Sequence, residues 1–432
     1  MAYIIVVNPA ILVHAGIPAG PCTVATILTA IFGTLLMALY ANRPLAVAPY
    51  MGENAFIAFG LGGLAIAVTP QQRLGTVFVG GVAFLILTLL RLRTWLANSI
   101  SPSMKHSFGV GIGLFLMFLG MYKTGIVTSF VTGMPYQALL AEPDGVLLRA
   151  PEVPVKIGHF GDPKVQLAIG GFVLTAVLMI RRVRGAILIG ILATAVAGYL
   201  IGVGKAPDGV FALPFTGKYD LSEIAFTLDV RGVLNLPFLP VLLTLFLVSF
   251  LDTLGTLIGV AAAGDMLDEQ GNLPEVERPM LVDALSSIFS ALVGTSTSGA
   301  YIESAAGVRE GARTGLASLV TAGLFVLTLF IIPLLEPLQQ LDYAYGPALI
   351  AVGVLMFGSV TRIDVHDWTE CVPALATIAL MLFSFNIGNG LTAGLILHPV
   401  MKVGAGRWRE VTGGGAVLAL LCLTYYVFGL PH

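Results

Sequence analysis

Charge is what this chain has least of. Of its 432 residues only 11% are charged, 57% are hydrophobic, and the formal net charge is -2. Soluble domains carry about a quarter charged residues, so the deficit excludes an ordinary soluble protein. The lack of a basic excess excludes a footprint for nucleic acid. Cysteine is almost missing: Cys22, Cys371 and Cys422 lie in or beside apolar stretches, which predicts small buried hydrophobes and no disulfide. There is no H-E-x-x-H pair, no other metal-ligand cluster and no Gly-flanked nucleophile motif. Ser298 or Ser304 acting as a nucleophile would need a base within reach, and only His14 and His398 lie in apolar segments. A hydrolase is therefore disfavoured, and no cofactor or metal is expected.

What the chain has instead is apolar runs along almost its whole length. The clearest cover residues 23–41, 76–90, 108–121, 165–180, 185–201, 240–263, 315–334, 348–360 and 372–385. With shorter or Gly-broken stretches included, about fourteen membrane segments are expected, an all-α polytopic protein of the cell membrane. Lys and Arg in short connections set orientation. They cluster at Arg91, Arg93 and Lys105; at Arg181, Arg182 and Arg184; at Arg309 and Arg313; at Arg362; and at Lys402, Arg407 and Arg409. These recur in alternate loops if the N-terminus is cytoplasmic, so the longer connections, 135–163 and 204–235, face outside. The opening "MAYIIVVNPAIL" has too few apolar positions before Asn8-Pro9 for a full span, which suggests an internal methionine at Met1 and a shortened first helix. The apolar stretch 416–430 is read as either a further span or an interfacial segment.

The chain divides near 204–235 into halves of similar order. In the first, "RPLAVAPYMGENAFIAFGLG" runs extended through Pro44 and Pro49, breaks at Gly52 and continues as a short apolar helix. In the second, "ALVGTSTSGAYIESAAG" passes through a Ser/Thr/Gly stretch unsuited to a helix interior and becomes helical around Tyr301. Irregular backbone at membrane depth persists only where protein buries it or it lines a cavity. Interrupted segments at matching places in two halves point to a midplane transporter site within an inverted repeat. Glu53 and Asn54 stand at the first break; Ser298, Tyr301 and Glu303 stand at the second.

A third element, "LTLFLVSFLDTLGTLIGVAAAG", carries Asp252 in an otherwise apolar helix. An Asp at the bilayer centre costs about 2.5 to 3.5 kcal/mol on insertion scales, so the face shared by Ser249, Asp252 and Thr256 should look into the bundle. Plainer readings stand beside these: Asn54 as a helix cap, Ser298 and Thr297 as partners of backbone groups, and Glu53 as a group paired elsewhere or reaching the interface. Asp252 and Glu303 are the strongest functional candidates, since intramembrane acids are functional by default.

The ordered set "MAYIIVVNPAIL", "ALYANRPLAVAPYMGENAFIAF", "FLDTLGTLIGVAAAGDMLDEQGNLP", "GTSTSGAYIESAAGVREGARTGL" and "ALIAVGVLMFGS" resembles the nucleobase-ascorbate (NCS2) transporters, specifically the AzgA-like adenine, guanine and hypoxanthine permeases, over essentially the whole chain. The resemblance implies a 14-segment, 7+7 inverted-repeat fold like that of the uracil transporters. Repeats would cover 1–204 and 236–410, with 205–235 as an extracellular linker and 411–432 as a C-terminal hydrophobic segment. It further implies a core domain near 1–98 and 236–336 and a gate domain near 99–204 and 337–410, with the third and tenth segments discontinuous.

By the same resemblance a purine base binds between those two segments and the eighth, usually with proton coupling. The substrate set becomes Asn54, Phe56, Ser249, Asp252, Ala300, Tyr301 and Glu303, with Glu303 and Asp252 exchanging the proton. Sodium is the alternative ion, and a homodimer is a candidate assembly. Alternative cargoes on the same fold are xanthine or uracil, or a small organic anion; two acids at the site oppose an anion by repulsion. Three departures bear on substrate identity: Ser249 replaces a usual second Asp, Glu53 a usual apolar residue, and Ser298-Gly299-Ala300 a common Val-Thr-Thr.

Overall fold

The computed structural model describes residues 3–63, 68–90, 99–130, 155–205, 207, 209–263, 266, 273–309 and 311–428. Arg91, Arg93 and most of the 135–163 connection lie outside them. In chain order the elements are α1 (Ile4–Leu12), α2 (Ala19–Leu39), β1 (Val47–Pro49), α3 (Met51–Phe59), α4 (Pro70–Leu89), α5 (Pro102–Lys123), β2 (Val127–Ser129) and β3 (Val155–Ile157). There follow α6 (Pro163–Ile180), α7 (Ala186–Leu200), α8 (Leu239–Ala263), α9 (Glu277–Val293), β4 (Ser298–Ala300) and α10 (Ser304–Arg309). The last are α11 (Gly315–Thr328), α12 (Ile332–Leu335), α13 (Asp342–Phe357), α14 (Trp368–Phe383), α15 (Ile387–Gly404) and α16 (Gly413–Phe428).

Each of the apolar runs read from the sequence falls on helix. Among the described residues α2, α4, α5, α6 and α13 with its 3₁₀ extension are long and apolar enough to cross a membrane. The run 315–334 differs from its expectation. It bends by 84° between α11 and the stretch Ile332–Gln340, because Pro333 has no N–H to continue the helix and sits instead in the first turn of the next one.

Asn8-Pro9 does not end the first helix. Helix α1 continues through Pro9 and is buried along its whole length. Proline leaves the carbonyl four residues earlier without its helical partner. That carbonyl, of Ile5, accepts the side-chain amide of Gln339 at 3.2 Å, and the same amide donates to Thr23 at 2.8 Å.

The chain forms two compact units, one of Met1–Phe115, Pro207–Gln339 and Gly353–His432, the other of Leu116–Ala206 and Gln340–Val352. In the second, α6 and α7 interlock through small residues: a Cβ on Gly171 would lie 2.3 Å from Thr194 Oγ1, and one on Gly190 would lie 2.0 Å from Thr175 Oγ1. Both threonine hydroxyls bond back to their own helix, on Gly171 and Gly190, so the close approach leaves no polar atom facing lipid.

In the first unit the loop before α14 and the end of α15 carry a dense ion-pair network. Lys402 is 4% exposed and reaches Glu370 at 2.9 Å, Glu410 at 3.1 Å and Asp367 at 3.5 Å. Arg407 pairs with Asp367 and Glu410, His398 with Glu370, and Ser101 donates to Glu370 at 2.5 Å. Hydrogen bonds from Thr369 and Arg407 hold the Asp367 carboxyl well below its ordinary range, and Arg407 with Lys402 lowers Glu410. Lys402 and Arg407, read from the sequence as orientation markers, here also tie helix ends together.

Candidate functional site

The two broken segments meet in the first unit. Strands β1 and β4 pair antiparallel with Val47 opposite Ala300, Ala48 opposite Gly299 and Pro49 opposite Ser298. The ladder extends through Tyr50 N–H to Thr297 C=O and Tyr301 N–H to Ala46 C=O, both at 2.9 Å. A two-stranded sheet has two open edges, and edges buried without water need partners. Hydroxyls supply them on both sides. Thr34 of α2 accepts from Val47 N–H at 3.0 Å and donates to its C=O, while Ser287 of α9 accepts from Ser298 N–H at 3.1 Å and donates to its C=O. Pro49 occupies an outward position of β1, where the missing N–H costs nothing, and its carbonyl accepts the Tyr301 hydroxyl.

Helix α3 leaves β1 at Met51, and α10 follows the turn after β4, so side chains from both segments converge with those of α8 and α9. Tyr50 and Tyr301 stack with centroids 6.3 Å apart and planes 11° apart. Around this pair lie four acids. Asp283 of α9 accepts from Thr253 at 3.0 Å, from Ala300 N–H at 3.1 Å and from Tyr50 at 3.4 Å. Glu53 is fully buried; it lies beside Asp252 and Ser249, and neither its carboxylate nor the Ser249 hydroxyl makes a hydrogen bond among the described residues. Asp252 is half-buried with Glu303 as its charged neighbour. Glu303, also half-buried, accepts the Tyr3 hydroxyl at 2.7 Å.

The residues singled out from the sequence therefore divide. Ser249, Asp252 and Glu303 come together with unspent polar atoms. Asn54 donates to Asn8 Oδ1 at 2.9 Å, inside a buried network in which Asn8 also donates to Thr26 and Thr295 and accepts from Ser296, while Oδ1 of Asn54 is buried with no hydrogen-bond partner among the described residues. Tyr301 contributes its ring, since its hydroxyl is spent on Pro49, and Ala300 has its N–H spent on Asp283. Phe56 is buried on α3 with its ring against Gly60.

Sequence reasoning undervalued Glu53 and missed Tyr3, Asn8, Tyr50, Thr253 and Asp283. Asp283 had a signal, an acid in "MLVDALSSIFSALV", but its first turns are polar enough to read as a helix entering from a loop. Nothing in the sequence pairs Tyr3 with a residue 300 positions away.

Two short helices led by paired strands beside a cluster of acids, within a bundle of apolar helices, fit an integral membrane transporter. The model of the permease family designated Xan_ur_permease matches residues 1–394. The chain belongs to that family, and with its motifs and relatives it falls among the nucleobase-ascorbate transporters of the AzgA-like kind. It is 36% identical over 432 residues to the adenine permease AdeP of Escherichia coli K12, covering 100% of this chain and 91% of the relative. It is 36% identical over 422 residues to the guanine/hypoxanthine permease PbuO of Bacillus subtilis, covering 98% and 93%. Among solved structures it is similar to the transmembrane domain of a cyanobacterial bicarbonate transporter, with TM-score 0.60 and 14% identity over 91% of this chain and 95% of that one. It is likewise similar to the murine Slc26a9 anion transporter, with TM-score 0.59 and 14% identity over 93% and 67%; these two likenesses concern the fold.

Proposed function

We propose that the chain imports a purine nucleobase, adenine, guanine or hypoxanthine, across the plasma membrane by proton symport. The observation that carries this reading is the half-buried Glu303 carboxylate beside Asp252 where the two broken segments meet. A purine offers N–H donors at its edge, and a carboxylate accepting one makes a charge-assisted bond stronger than a neutral one. A base lacking the matching donor leaves a buried acceptor unpaired, at about 1 to 3 kcal/mol, so one acid discriminates among bases. The stacked Tyr50 and Tyr301 rings border the same place.

The proton follows from the company the acids keep. The charged neighbours of Asp252 and Glu53 are other carboxylates, and acids close together in a low-dielectric surrounding do not all ionise without a counter-charge. The same repulsion opposes an anionic cargo, even though both structural likenesses are to anion transporters. Asp252 and Glu303 are the pair assigned to carry the proton.

The architecture assigned here is two inverted repeats of seven segments. The recurrence of order supports it: α1, α2, β1–α3, α4 in the first half and α8, α9, β4–α10, α11 in the second. The exchange of Thr34 on α2 for Ser287 on α9, each serving its own strand edge, supports it further. Transport would proceed by a core domain moving against a gate domain, with the N-terminus cytoplasmic.

The test is uptake of radiolabelled adenine, guanine, hypoxanthine, xanthine and uracil by cells lacking their own permeases, at pH 5.5 and 7.5, with and without a protonophore. Purine uptake that collapses with the protonophore is expected, as is a marked but measurable fall of it in Glu303→Gln. A Glu303→Gln variant that transports normally at both pH values refutes the assignment.

A further inference from the structure

The structure assigns Tyr3 as the positioning residue for Glu303, fixing the carboxylate that the proposed function uses to recognise the base; the inference rests on that reading. Glu303 lies in the turn between β4 and α10. Its neighbour Ile302 is 57% exposed, so local packing does little to hold that turn's side chains. A carboxylate on a turn samples several rotamers unless something outside the turn holds it.

The Tyr3 hydroxyl supplies that hold, donating to Oε1 at 2.7 Å. Among the described residues it is the hydrogen-bond partner of the Glu303 side chain, and the bond is in the short range of an O–H donor to an ionised acceptor.

Tyr3 can serve because its own position is over-determined. The residue is 2% exposed and caps α1, its carbonyl accepting from Val6 and Val7 N–H at 3.0 Å. Asn8 pins α1 to α2 through Thr26 and to the approach of β4 through Thr295, and Gln339 binds the carbonyl that Pro9 frees. A nine-residue helix buried on all sides thus carries one phenol that reaches the acid of the second broken segment and one amide that reaches Asn54 of the first. With Oε1 held by Tyr3, Oε2 is the oxygen left to accept from the base.

The test measures radiolabelled hypoxanthine and adenine uptake in permease-deficient cells for wild type, Tyr3→Phe, Glu303→Gln and the double variant. It adds the infrared carboxyl region of each purified protein. Tyr3→Phe removes one oxygen and keeps the ring. It is expected to raise KM about tenfold with maximal rate changed less than about twofold, and to leave the unfolding midpoint in detergent unchanged.

In the Glu303→Gln background the same change should add less than about twofold, because a residue acting through Glu303 has nothing left to position. The infrared band lost in Glu303→Gln should move in Tyr3→Phe. A wild-type KM for Tyr3→Phe, or an equal loss in both backgrounds, overturns the inference. If the wild type carries neither base, the proposed function fails by itself and the infrared band decides Tyr3: an unmoved band overturns it, a displaced one sustains it.

Discussion

Asp283 on α9 holds the backbone N–H of Ala300 at 3.1 Å with the same oxygen that takes the Thr253 hydroxyl at 3.0 Å. One side chain thereby joins α8, α9 and the extended half of the second broken segment. Replacing it by Leu leaves the Ala300 amide without an acceptor and, because Tyr50 and Thr253 also bond each other at 3.0 Å, one of the two hydroxyls, each worth about 1 to 3 kcal/mol when buried. Asp283→Leu is expected to lower the unfolding midpoint in detergent and to abolish uptake, with Asp283→Asn intermediate. Wild-type stability in the Leu variant would show that the strand holds its place without this bond.

Gly299 faces Tyr50 too closely for any side chain. A Cβ at Gly299 would stand 2.1 Å from the Tyr50 hydroxyl oxygen and 2.4 Å from its ring. That ring is buried and anchored to Thr253, so it cannot simply swing aside. Gly299→Ala should cost about 1 to 3 kcal/mol, the usual range for overpacking, and cut uptake by more than tenfold. Combining it with Tyr50→Phe, which removes the closest atom, should recover part of the stability; no recovery would place the clash elsewhere.

Asn8 and Asn54 act as a pair. Asn8 uses both hydrogens of its amide and accepts from Asn54 and Ser296, so truncating Asn8 takes away the oxygen to which Asn54 donates, whereas truncating Asn54 leaves Asn8 its other partners. Thermal midpoints of Asn8→Ala, Asn54→Ala and the double variant should therefore be non-additive, with a coupling of about 0.5 to 3 kcal/mol. Additive losses would mean that the two amides contribute independently.

The ion pairs around Asp367 give a pH signature. Because Thr369 and Arg407 hold this carboxyl below its ordinary value of 3.8, its contribution to stability is complete above that value. It fades as pH falls from there toward the lower folded value. The midpoint difference between wild type and Asp367→Asn should be equal at pH 7 and pH 5 and smaller at pH 3. A difference that grows on acidification would reverse the sign and remove the assignment.

The sequence by itself determined the membrane, the helices and the two breaks. These follow from local quantities: apolar length, the missing N–H of Pro44 and Pro49, and the poor helical fitness of "GTSTSG". It also marked Asp252 and Glu303, because an acid in an apolar run is conspicuous wherever the run folds. Only the tertiary structure decided what the polar atoms at the breaks are spent on. Asn54 and Tyr301, read as substrate contacts, give hydrogens to Asn8 and to Pro49. Glu53, which could have reached an interface, is buried beside Asp252. The reason is that a strand edge or a half-helix inside a membrane must find every hydrogen-bond partner within the protein. Those partners, Thr34, Ser287, Asp283 and Tyr3, stand on other segments whose proximity no local pattern records.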